Sequence, residues 1–464
     1  MRNLSGAARG LVVLGPMLAL LVGCAGGAAA LASTRTDEAD KWYQRANAAF
    51  IVSDIDDARD SADKALQFSK DDPETRLLAG KIALARLEFP RALQYLKPIK
   101  CETTSDEHCK KLGLEAASLR GRAHWYNGEL DAAADELEAV LNDPDSKDEW
   151  AKAVAKLARQ GQGRQPFAIS GGLLAATELI HASPDYAYFL IEVDIDGERA
   201  LALIHTGKTE VAIDSATRAE PSWVSIRIGD RLEVKDVPAV PEDLSGLTKE
   251  LGAPVKALLG VNFLRHVNAT IDYEGHQFVA RSYSPTAPPD ATRLPLLYVK
   301  GGGMIVRSGF GGEKGPVASL LLNTGSNFAV TLTQAGWKKA GIDVDTLKPV
   351  PQVPDTREGT IGMLRIGAFD VPQVQGLYST QQTQFDDMAK ALAPVAFDGV
   401  LGAGLLSRFR CTLGDGGRVM WLEDATALAK VLNGGTLPPK VRGNAPALPG
   451  PVNSSQAPAP PAKK

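Results

Sequence analysis

Hydrophobic and polar positions along this chain fall into three textures. Over residues 37–159 apolar residues recur with a helical period in an Ala-, Leu-, Glu- and Lys-rich background almost free of β-branched runs, which predicts helices. After Gly161-Gln162-Gly163 and Gly171-Gly172 the period shortens to two. Residues 188–194 alternate, Asp196-Gly197 marks a hairpin turn, and residues 200–204 return, which predicts strands. From Gly434 onward Pro, Ala, Gly and Ser dominate, a composition that builds no core and predicts an extended tail over 434–464. Before it, residues 424–432 read as a short amphipathic helix closing the β region.

The helical part repeats. Small residues Ala46 and Gly80 lie 34 positions apart, and in each unit another small residue follows 12 later, at Ala58 and Ala92. A third unit, Gly121 with Ala133 and then Leu137, is displaced by 41, and the surplus falls in the Cys101–Cys109 segment. Small side chains at this spacing let two antiparallel helices approach closely, and Pro73 and Pro144 punctuate the units. The pattern resembles tetratricopeptide (TPR) repeats over roughly 120 residues. That resemblance implies a concave partner-binding face without chemistry of its own; the alternative is a generic helical bundle. Trp125 and Tyr126 are read as core aromatics rather than as part of such a face.

The β part is duplicated. Apolar residues 200–204 lead into His205-Thr206-Gly207, followed by Ile226-Arg227-Ile228-Gly229 and Leu258-Leu259-Gly260. Leu320 to Leu322 leads into Asn323-Thr324-Gly325-Ser326, followed by Leu364-Arg365-Ile366-Gly367 and Phe397-Asp398-Gly399-Val400-Leu401-Gly402. Beyond the glycines the copies match at an offset of 142 (Gly260 with Gly402, Thr270 with Thr412). The earlier offset is 118 (205 to 323), so the second copy carries an insertion around residues 337–353.

An apolar strand, x-Thr-Gly-x, and later two apolar residues plus Gly resemble the aspartic-peptidase fold of retropepsin and pepsin type, over about residues 185–425. The resemblance implies two all-β lobes around a cleft, with one Thr-Gly loop from each meeting at its floor and Thr206 and Thr324 linking them. Residues 225–237 and 363–374 are the candidate flaps. It also implies two aspartates sharing a proton across a water. Here those positions hold His205 and Asn323. Asn323 has no proton to exchange near neutral pH. His205 could accept one, and Lys208 beside it disfavours its protonated form. Glu210 and Asp214 are the carboxylates nearest in sequence for a rewired centre, with structural roles expected for both, and for Asp272 and Asp398. Loop residues Gly207, Gly325 and Ser326 complete the pattern. No catalytic residue is assigned with the dyad gone.

Residues 1–23 add an address. Arg2 and Arg9 precede an apolar run of about 12 residues, too short to span a bilayer, ending Leu21-Val22-Gly23-Cys24. The ending resembles the bacterial lipoprotein signal, which implies lipidation of Cys24 and, with Ala25 next, the outer membrane facing the periplasm; the alternative is a plain signal peptide. In that oxidising compartment Cys101 and Cys109 are candidates for a local structural disulfide, and Cys411, in an apolar strand, for a core thiol. Composition sets outer limits: 44% apolar and 23% charged residues exclude a wholly disordered or polytopic membrane chain. A net charge of −4 argues against nucleic acid as a partner. Six scattered histidines offer no metal spacing, and no cofactor motif is present; Gly301-Gly302-Gly303 and residues 309–312 read as a mobile hairpin and loop rather than a phosphate loop.

The expected order is signal 1–23, tether 24–36, TPR-like repeats 37–160, linker 161–184, first lobe 185–285, second lobe 286–433 and tail 434–464. The expected function is a noncatalytic, membrane-anchored scaffold that binds peptides or proteins through the TPR-like repeats and the degenerate cleft. The alternatives are a peptidase with an unorthodox centre around His205 and a structural envelope lipoprotein.

Overall fold

A computed structural model describes residues 35–99, 106–183, 186–351, 353–381 and 383–425. The signal, the tether up to residue 34, Cys24, Cys101, the tail and all but the start of the expected 424–432 helix lie outside them. Asp424 itself ends a strand. Cys109 is disulfide-bonded.

Seven helices come first: α1 (Asp37–Ile51), α2 (Ile55–Phe68), α3 (Pro73–Ala85), α4 (Phe89–Leu96), α5 (Glu107–Tyr126), α6 (Leu130–Leu141) and α7 (Glu149–Gln160). Their starts are written locally. Thr36, Asp54, Asp72 and Asp148 each accept a hydrogen bond from a first-turn N–H, and Pro73 occupies a position where a missing N–H costs nothing. The small residues of the repeat are buried where helices meet. A methyl group at Gly80 would lie 2.5 Å from Leu96, and one at Gly121 would lie 2.7 Å from Leu137. No helix among the described residues is long and apolar enough to cross a membrane.

The β region then begins earlier than expected. Residues 161–184 are not a plain linker but carry β1 (Ala168–Gly171), β2 (Leu174–Glu178) and β3 (Ile180–Ser183). The glycines that read as a flexible joint do something else. Gly171 has φ +88°, and a Cβ there would overlap the Arg231 carbonyl, so the glycine permits a close chain crossing between two sheets.

The first copy continues with β4 (Tyr186–Ile195), β5 (Glu198–Ile204), β6 (Val211–Asp214), β7 (Ser222–Ile228), β8 (Leu232–Glu242), α8 (Ser245–Leu251), β9 (Val255–Leu259), α9 (Val261–His266), β10 (Thr270–Asp272) and β11 (Gln277–Arg281). The second holds β12 (Thr292–Pro295), β13 (Leu297–Val299), β14 (Gly303–Phe310), β15 (Val317–Asn323), β16 (Val330–Leu332), α10 (Gln334–Lys339), β17 (Lys348–Pro349), β18 (Thr356–Ile366), β19 (Phe369–Ser379), α11 (Thr383–Leu392), β20 (Gly399–Gly402), α12 (Ala403–Leu406), β21 (Phe409–Gly414) and β22 (Val419–Asp424). The expected insertion is α10 and the turn after it, where Trp337 is fully buried.

Duplication extends to pairing. In the first copy β5 runs parallel to β9, β6 parallel to β8, and β7 pairs with β4. In the second β15 runs parallel to β20, β16 parallel to β19, and β18 pairs with β14. Each copy forms an eight-stranded sheet, and a third, six-stranded sheet in the order β12-β22-β21-β10-β11-β2 joins them. At its centre Thr270 faces Thr412, with their hydroxyls 2.8 Å apart. These are the residues the 142 offset equates.

The helices form a layer across both copies. Phe50, Leu78 and Ile82 share a core with Leu297, Ile305, Leu321 and Phe397 of the second. The Ser53 and Ser319 hydroxyls are 2.6 Å apart, and Arg307 pairs with Asp54 at 2.8 Å. On the first copy Trp223 donates to the Leu157 carbonyl at 3.0 Å and packs on Trp125. Trp125 and Tyr126 are buried, as expected.

Candidate functional site

β5 and β15 each deliver their loop to the centre because a parallel partner strand fixes the strand's end. His205 N–H donates to the Leu259 carbonyl at 3.1 Å. After β9 and β20 the chain must pass against the loop, and glycine is what fits. A Cβ at Gly260 would overlap the Glu210 carbonyl, and one at Gly402 the Phe328 carbonyl. Beyond each glycine the backbone closes on the loop: Val261 N–H donates to Lys208 C=O at 2.9 Å, and Ala403 N–H to Ser326 C=O at 2.8 Å.

The two loops are cross-linked as the resemblance implies. Thr206 N–H donates to Thr324 Oγ1 at 3.0 Å, and Thr324 N–H to Thr206 Oγ1 at 2.9 Å. Each hydroxyl in turn donates across the interface, Thr206 to Leu322 C=O at 3.0 Å and Thr324 to Ile204 C=O at 2.7 Å. Four hydrogen bonds therefore hold the loops in two-fold register.

His205 and Asn323 lie at this junction, each against the opposite loop's glycine. A methyl group at Gly207 would be 2.6 Å from Asn323 Cγ, and one at Gly325 would overlap His205 Nε2. Asn323 Oδ1 accepts from Gly325 N–H at 2.9 Å. His205 Nδ1 is buried without a hydrogen-bond partner. Burial, with the nearby Lys208 charge, holds the imidazole pKa down to about 4, so the ring is neutral at neutral pH. Lys208 itself pairs with Glu242 at 2.7 Å. The floor thus carries a neutral imidazole and an amide.

The carboxylates considered as replacements are engaged elsewhere. Glu210 accepts from Trp125 Nε1 at 3.2 Å and from Asn262 Nδ2 at 3.0 Å. Asp214 pairs with Lys256 at 3.1 Å, and Asp272 caps the Gly275 N–H and faces Arg410. Asp398 is buried, accepting from Ser319 N–H and pairing with Lys339 at 2.7 Å. Burial pushes the Cys411 thiol far up, which makes it an inert core group. Among the described residues no group of three or more His, Cys, Asp or Glu could hold a metal.

The candidate flap segments are β-hairpins, β7–β8 and β18–β19, each joined to its sheet. β7 and β8 are paired with β4 and β1, and Gly172 N–H donates to Arg231 C=O at the hairpin turn. β18 is paired to β14, and Gly311 N–H donates to Met363 C=O. The Gly301-Gly302-Gly303 turn, expected to be mobile, packs on Thr209 of the first lobe and Tyr126 of α5. On the other side, Asn327 Oδ1 accepts from Ala187 N–H at the start of β4. Thr209 and Asn327 are again 118 apart, a signal present in the sequence but unread there.

No protein-family model matches the chain, and no curated protein matches it. Among solved structures it is similar to a retropepsin-like aspartic protease from Rickettsia conorii, at 15% identity and a TM-score of 0.22, covering 30% of this chain and 94% of that one. A likeness of that size adds nothing to what the strand topology and the crossed threonines already carry.

Proposed function

We propose that the chain is an acid-peptidase-like, noncatalytic module that binds extended peptides or proteins, on a TPR-like helical support, lipid-anchored through Cys24 in the bacterial outer membrane and facing the periplasm. One observation carries the loss of catalysis: the crossed threonine network is intact while the two positions it frames hold His205 and Asn323. Peptide hydrolysis by this geometry needs one carboxylate as base and a second as acid. His205, a neutral imidazole, could take only the base's part, and Asn323 supplies no acid. The burial of the helical layer against both lobes favours a supporting role for it, leaving the cleft as the binding element.

The test incubates the full chain with a diverse peptide mixture between about pH 3 and 8, where a catalytic group poised near its pKa would act. New peptide termini are read by mass spectrometry, beside His205→Ala. The expected result is no cleavage above the variant, with retention of peptides on the immobilised protein and release of Cys24→Ser from membranes. Cleavage that disappears in His205→Ala would overturn the reading and make His205 a catalytic base.

A further inference from the structure

Where the helical layer meets the first lobe, a cavity of about 300 Å3 opens between the end of α5, the 164–167 segment and α9. That volume sits at the low end of small-molecule sites, which run about 300–1,000 Å3. Its walls include Trp125, Tyr126 and Phe167, with Arg265 and Arg164 as the charged residues and no acidic residue among the lining. Arg164 is an exposed side chain already paired with Asp236 at 2.6 Å.

Arg265 is different. It is only 7% exposed and makes no ion pair among the described residues. Its Nε donates to Asn262 Oδ1 at 2.9 Å, and its guanidinium lies over the rings of Phe89 and Tyr126. Glu210 balances this charge only at one remove, because its oxygens are taken by Trp125 and by the Nδ2 of the same Asn262. A buried guanidinium without a directly bonded anion is costly, and its remaining N–H groups form a fork that matches a carboxylate. Burial accordingly draws the Arg265 pKa below its ordinary value.

Two neighbours complete the wall without adding charge. Tyr126 gives the wall its ring, with the hydroxyl buried beside Arg122. His266 stacks on Phe167, donates through Nδ1 to Asn262 C=O, and is held neutral by burial and by Arg265, so it adds no charge. We propose that this cavity binds a small carboxylate with a flat apolar body, the acid on the Arg265 guanidinium and the body against Trp125 and Phe167. This site is separate from the cleft and does not rest on the reading of the His205 loop.

The test is calorimetric titration of the full chain with N-acetylphenylalanine, set against its uncharged amide, inorganic phosphate and an Ala-Ala-Phe peptide. The acid should bind at least about tenfold more tightly than the amide, and Arg265→Met should abolish that difference. Gln165→Trp, at the exposed mouth, should block binding without touching the core, which keeps the test decisive if Arg265→Met does not fold. Tighter binding of the tripeptide than of the free amino-acid derivative would assign the site to a chain end, and the reverse to a free acid. Failure of the acid to bind, equal binding of the amide, preference for phosphate, or binding unchanged in Gln165→Trp would overturn the proposal.

Discussion

Thr206 and Thr324 show how much two side chains can hold together. Valine at position 206 would keep the shape but remove the hydroxyl that accepts from Thr324 N–H and donates to Leu322 C=O. Each buried group left unpaired costs about 1–3 kcal/mol. Thr206→Val should therefore lower stability by about 2–5 kcal/mol in urea unfolding, and with Thr324→Val the double variant should lose less than the sum, since both belong to one network. A strictly additive double variant would show the loops to be independent. His205 gives a pH signature. Its pKa is about 4 in the fold against 6.5 ordinarily, so between those values the unfolded chain binds the proton first. Stability is full above pH 6.5 and falls as pH drops toward 4, by up to about 3 kcal/mol from this group. His266, at about 3, loses stability over the same window and on down to about pH 3. His205→Gln should make the wild-type decline between pH 7 and 4.5 shallower, with His266 still contributing, read as urea midpoints; an identical slope would place the proton elsewhere.

Helix pairs and hairpins are set by spacing, and their legibility follows from it. Gly80 against Leu96 and Gly121 against Leu137 are the same contact made twice, each across 16 residues, and the 41-residue displacement is kept. Alanine in a helix is ordinarily favoured over glycine by about 1 kcal/mol. Here the added methyl group meets a packed leucine, so Gly80→Ala and Gly121→Ala should each destabilise by about 1–3 kcal/mol in thermal unfolding. An increase in melting temperature would show that the helices can separate freely. The small residues were readable because a close approach tolerates few side chains. The 161–184 strands were not, because a glycine needed for a chain crossing looks the same in sequence as one in a flexible joint. Alternation likewise reports the β7–β8 and β18–β19 strands but not what pairs with their outer edges.

For the whole molecule, the helical layer is part of the β structure's core rather than an appendage. Phe397 and Leu321 of the second lobe pack with Phe50 and Ile82, while the Trp223 ring of the first reaches the Leu157 carbonyl. A fragment of residues 165–435 alone would expose both faces. We expect it to lack a cooperative thermal transition and to bind hydrophobic dye, whereas the intact chain unfolds in one step. A fragment melting at the temperature of the intact chain would mean that the layer contributes no stability.

Sequence alone determined the helical repeat and the β duplication with its two offsets. These are properties of residue type and spacing, and local periodicity carries them. Only the tertiary structure decided that Glu210 turns to Trp125 instead of toward His205, that Arg265 lies beside a cavity with no ion pair among the described residues, and that the glycine turn closes on Thr209. Those facts depend on which surfaces meet across more than 80 residues of chain, as Trp125 and Glu210 do. Burial and hydrogen-bond competition among such distant partners leave no period in the sequence to read.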